Sequence, residues 1–197
     1  MHDSGTVMRG SRAGLCRRGG DSPHQVAHST SRPTANARGL PVSDDRRMKL
    51  VKAPATDLFD TFLARETTDV VGVRLSRIRE VERRLRDCLE REAERVFVTD
   101  DLARLAVERS AEPVGAAARI ADGEDLVFLL NRFLREPWLA DDPTDRRVQF
   151  RVIEHFTAWL ISRRHVDSYG LECPMLDLRY ALDSGRRALR ASVAAAR

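Results

Sequence analysis

The stretch Ala140–Arg147, ADDPTDRR, carries three carboxylates, Asp141, Asp142 and Asp145, in a D-D-x-x-D spacing. Oxygen ligands grouped in this way suit magnesium held against a diphosphate. The same residues also spell a helix entry. Asp142 fits the N-cap, Pro143 fits the first helical position where its missing N–H costs nothing, and Asp145 fits the third position, facing free backbone N–H groups. A diphosphate enzyme needs a second acidic cluster on a facing helix. The other acidic pairs, Asp100-Asp101 and Glu124-Asp125, themselves read as first-turn residues. The box is therefore read as a helix start, with a metal-assisted enzyme as the alternative.

A second group of reactive residue types lies in His165–Cys173, HVDSYGLEC. His, Asp, Glu and Cys all accept zinc, and Cys173 just ahead of Pro174 would stand at a helix N-terminus, where a thiol is more readily ionised. The spacing matches no established ligand pattern, so the expected state is a solvated loop with an ordinary cysteine. Glu154-His155 is weaker still, because adjacent helical residues diverge by about 100°. His155 is expected to be a partly buried packing residue.

Residues 99–122 have the length of a helix-turn-helix. The segment that would read bases, PVGAAARIAD, offers only Arg119 to base edges. DNA binding is accordingly the lesser reading. The chain holds no glycine-rich phosphate loop, nucleophile elbow, metal motif or paired-carboxylate helix motif. No cofactor is expected, and an enzyme is the less favoured class.

The elements that would position these residues are helical from Thr56 onward. Leu58, Phe59, Phe62 and Leu63 share a stripe behind Thr56 as N-cap, and Thr99 is expected to cap the helix that follows Phe97. Asp69–Phe97 is the longest periodic run. Val71, Leu75, Ile78, Leu85 and Leu89 form a heptad-like seam broken at Glu82, flanked by pairs such as Glu80 with Arg84 and Glu82 with Arg86. Pro113 is expected to open a short helix that Gly123 closes. Residues 124–134, EDLVFLLNRFL, are apolar nearly all round and belong at the centre of a core. Val148, Val152, Phe156 and Trp159 mark the helix after the acidic box, and Met175, Leu178, Leu182, Leu189 and Val193 the last one. No alternating strand, hairpin signal or internal repeat is found.

The chain of 197 residues carries a net charge of +4, and all of it sits in residues 1–47, where eight Arg face four Asp. That segment also holds six of the eleven Gly and no Phe, Trp or Tyr, so it is expected to be a disordered leader. It is either a genuine tail or an over-extended start ahead of Met48. The remainder is charge-neutral, which weakens the case for a nucleic-acid surface despite a pI near 9.4. Three widely spaced cysteines argue against a disulfide scaffold and fit a reducing cytoplasm, and no apolar run is long enough to span a membrane.

The expected fold is all-α: a single-domain bundle of about six helices over 48–197, behind a leader over 1–47. The favoured function is a cytoplasmic protein–protein interaction or regulatory module that dimerises through helix 70–97. The alternatives are a DNA-binding regulator using 99–122 and an enzyme using Cys173 or the acidic box.

Overall fold

The periodicity of the apolar residues after position 55 is realised as helix in a computed structural model that describes residues 50–195, side chain 193 excepted. Residues 1–47 lie outside the described residues, and with them the expected disorder of the leader. Seven helices follow one another: α1 (Ala55–Glu66), α2 (Gly72–Val96), α3 (Thr99–Ala111), α4 (Ala116–Ile120), α5 (Gly123–Phe133), α6 (Pro143–Ser162) and α7 (Glu172–Ala195). The described residues contain no strand. Seven helices stand where about six were expected, and the short alanine-rich helix foreseen after Pro113 is present as α4, five residues long.

α5 is the axis of the bundle, with α2 and α7 packed against it and α6 beside both. Its Leu126, Val127, Leu129, Leu130 and Phe133 are fully buried, as a helix apolar on most of its circumference requires. Burial of each such side chain contributes roughly 1.5–3 kcal/mol before chain entropy is counted. α1 closes one end with an aromatic cluster. The Phe62 ring lies 4.8 Å from Phe156, and Phe156 lies 6.0 Å from Trp159.

Local chemistry sets the boundaries, in places differently from the expectation. Asp142 caps α6 as expected, its Oδ1 accepting from the N–H groups of Thr144 (2.7 Å) and Asp145 (3.0 Å) with Pro143 in the first turn. Thr56 and Thr99 are not caps. Each lies inside its helix, behind an extended Pro54 or Val98 that offers no side-chain acceptor. Pro113 does not open α4; Gly115, in the left-handed region at φ 76°, does. Gly123 does not end α4 but begins α5, because Asp122 forms a capping box with Asp125 across it.

α6 and α7 approach closely where α7 carries Gly185. A Cβ there would stand 2.5 Å from Phe150 Cζ, so only glycine lets the two helices meet over that ring. This contact, with Met175, Leu178, Leu182 and Leu189 buried, fixes which side of α7 faces inward.

Candidate interaction surface

The acidic box lines an open groove between the start of α2 and the start of α6, with a volume of about 580 Å³. Two of its three carboxylates are already engaged. Asp142 holds the α6 N-terminus, and the two backbone N–H groups keep its carboxyl below the usual range. Asp145 pairs with Arg77 Nε at 2.9 Å. Asp141 is exposed. Among the described residues no cluster of three or more His, Cys, Asp or Glu is arranged to hold a metal ion.

The loop ahead of α7 does not gather its reactive residues around one point either. His165 Nδ1 donates to the Val51 carbonyl at 2.7 Å, and its ring lies 5.2 Å from Trp159, so it fastens the entering chain to the end of α6. Cys173 is exposed on the first turn of α7. His155 is not a packing residue as expected: it is exposed, with Nδ1 donating to Glu66 Oε1 at 2.9 Å.

The segment 99–122 does not present a reading helix. Ala116, Ala117 and Ala118 of α4 are buried against the core. Arg119 is consumed internally, its Nε donating to Glu108 at 2.5 Å and its guanidinium to the carbonyls of Val114 (2.8 Å) and Glu112 (2.5 Å). Those bonds, above all the one to Glu108, hold Arg119 charged and tie α3 to α4.

The seam on α2 divides. Ile78, Leu85 and Leu89 are buried within the chain's own core, covered by α5 and α6, while Val71 is exposed and Leu75 half-buried at the open end of the helix. The heptad-like spacing is therefore satisfied inside the molecule over most of its length. The charges beside it are also used internally: Arg86 Nη2 reaches Asp60 of α1 at 2.6 Å as well as Glu82 at 3.1 Å. Arg84 does not pair with Glu80 as the spacing suggests; its Nη2 donates to the Trp138 carbonyl at 2.7 Å, and Arg83 takes Glu80 instead.

The most buried charged group serves packing. Glu92 is 7 % exposed and accepts from Arg132 Nε (2.6 Å), Arg95 Nη1 (3.0 Å) and Trp138 Nε1 (3.4 Å), joining α2 to α5 and to the segment after it. Burial pushes its carboxyl up, but the bonds from Arg95, Arg132 and Trp138 outweigh it and leave the group below its ordinary value. Gln149, 1 % exposed, completes the anchorage by accepting from Ala140 N–H and donating to the carbonyls of Phe133 and Trp138.

A surface that the apolar stripes did not foretell lies on the outer side of α7. Tyr169 is 94 % exposed, Leu176 54 % and Tyr180 71 %, with exposed Cys173 between them. The spacing of 4, 3 and 4 residues is helical. At about 100° per residue, Cys173, Leu176 and Tyr180 fall within an arc of about 60°, opposite the buried Met175, Leu178 and Leu182. Tyr169 extends the stripe through a turn that runs straight into the helix, in which Leu171 N–H bonds to Asp167 O and Met175 N–H to Leu171 O. The readable signal was a helix with apolar residues on two opposite faces, only one of which a bundle needs. Comparison of the chain with protein-family models, with curated proteins and with solved structures finds no match.

Proposed function

We propose that this chain is a helical protein–protein interaction module that presents the outer face of α7 to a helix of a protein partner. One observation carries the reading: Cys173, Leu176 and Tyr180 stand exposed in a single stripe on a helix whose opposite face is already buried, with exposed Tyr169 in the turn just ahead of it. Single exposed apolar residues are ordinary, but an aligned row with one tyrosine in it and another just ahead of it is the composition of a binding surface. The acidic box and α4 have structural roles, and three residues of the α2 seam are core, so the reading moves from α2 to α7.

The partner's chemistry follows from the rim. Exposed Glu172, Arg179, Asp183 and Arg190 run along one side of the stripe, so a fitting helix carries both signs of charge beside an apolar row. The test is the double substitution Leu176→Glu with Tyr180→Glu in the full chain. Because both residues are exposed, thermal stability should change by less than about 1 kcal/mol, while association falls, read as self-association in sedimentation or as a partner captured from native extract. Undiminished association by the double variant, or a wild-type chain that is monomeric and captures nothing, overturns the reading.

A further inference from the structure

We infer, resting on the reading of α7 as a docking face, that the partner is a second copy of this chain, bound antiparallel along α7 about a two-fold axis at the level of residue 181. A two-fold axis perpendicular to two antiparallel helices brings each flank of the stripe against the same flank of the other copy. Residues on one flank then meet when they lie equally far on either side of the axis. The flank that carries Glu172, Arg179, Asp183 and Arg190 meets this condition twice. Glu172 and Arg190 are each nine residues from position 181, and Arg179 and Asp183 are each two residues from it. One axis therefore sets Glu172 against the other copy's Arg190 and Arg179 against its Asp183, four ion pairs in all. None of these four residues has an ion-pair partner within the chain among the described residues.

The apolar row obeys the same axis. Tyr180 lies one residue from position 181, so the two Tyr180 rings meet at the centre, offset along the helices by about 3 Å, within reach of an aromatic pair. Leu176 falls between Ser184 and the Arg187 stem of the other copy. Cys173, level with position 189, falls between the Arg187 stem and exposed Ala191 of the other copy. A parallel pair lacks this fit, since it sets the charged flank against the opposite one, where Asp177, Ser184 and Ala188 offer a single charge.

The test uses the full chain. Sedimentation of the wild type at micromolar concentration should show a dimer. With Cys16 and Cys173 changed to Ser, Tyr180→Cys should cross-link under copper–phenanthroline. Facing Cα atoms at position 180 come within about 5–6 Å when helix axes are about 8–10 Å apart. Wild-type Cys173 should not link to its own counterpart, about 24 Å away along the helices. Arg179→Asp should weaken the dimer roughly tenfold by setting like charges together, and adding Asp183→Arg should restore it. A dimer that neither cross-links at position 180 nor responds to Arg179→Asp overturns the register while leaving α7 as the docking face. A monomer that captures a different protein through α7 overturns self-pairing alone. A monomer that captures nothing removes both.

Discussion

Replacing Glu92 by Ala tests whether its buried carboxylate holds α2 to α5. The side chain is 10 % exposed and accepts from three donors on two other segments and its own helix. A hydrogen bond to a charged group contributes about 1.5–3 kcal/mol when buried. The donors here are less buried: Arg132 is 42 % and Arg95 66 % exposed, so water takes up part of what each loses. With Arg132 discounted to about 1 kcal/mol, Arg95 to less than about 0.5, and about 1 kcal/mol for leaving the Trp138 indole N–H without its acceptor, the expected loss is about 2–3 kcal/mol. For a domain of this size that corresponds to roughly 5–10 °C in Tm. The pH dependence is the sharper readout. Because the folded-state carboxyl lies below its ordinary value, its contribution is complete above the unfolded carboxylate's range and is lost as pH falls through the folded value. Urea unfolding of wild type and Glu92→Ala should therefore differ most near about pH 7 and converge toward about pH 3, other titrating groups being common to both. A gap that stays constant across that range would show that the carbon stem, and not the ionised carboxylate, was what mattered.

Two further expectations come from packing. Gly185→Ala forces a methyl to within 2.5 Å of Phe150 Cζ, in a ring that is only 2 % exposed. Overpacking of about 1–3 kcal/mol opposes a helix-propensity gain of about 1, so a net loss of up to about 2 kcal/mol is expected in thermal melts, and a stabilised variant would mean that α6 and α7 separate freely. Alkylation at neutral pH should modify exposed Cys173 in the native chain and spare Cys88 until denaturant is added, since burial, reinforced by the Glu92 charge, pushes the Cys88 thiol well up. Native-state labelling of Cys88 would mean that α2 opens from the bundle.

Fold class was legible because apolar spacing is a local property that burial enforces everywhere along the chain. Residues 124–134 could only be central, and α5 is. The Asp142-Pro143 entry was equally legible, since the cap, the proline and the third-position carboxylate all act within four residues. What failed were choices among near-equivalent local signals. Asp122, with Asp125 three residues on, outcompetes Gly123 as the punctuation between α4 and α5, and the chain enters α1 and α3 through Pro54 and Val98 without a side-chain cap. Arg84 was assigned to Glu80 by spacing, but tertiary structure offers the Trp138 carbonyl, 54 residues away in sequence, and no spacing rule reaches that far.

The same limit explains why the seam was expected on α2 and the exposed stripe lies on α7. A heptad records that a helix face is buried and is silent about what buries it. On α2 the covering elements are α5 and α6 of the same chain, so Leu85 and Leu89 have no surface left to offer. On α7 the inner face is satisfied by Met175, Leu178, Leu182 and Leu189, and the second row at Leu176 and Tyr180 is surplus to the bundle. That surplus is what the proposed docking face rests on. A side chain that stabilises the monomer is found inside it, whereas one that stabilises only a complex stays exposed until the partner arrives, and its periodicity is the trace it leaves in the sequence. Leu85→Glu and Leu176→Glu therefore separate the two cases. The first sets an unpaired carboxylate in the core at a cost of several kcal/mol and should unfold the chain, while the second should leave a folded protein that no longer associates. A folded Leu85→Glu variant that has lost only its association would return the interface to α2.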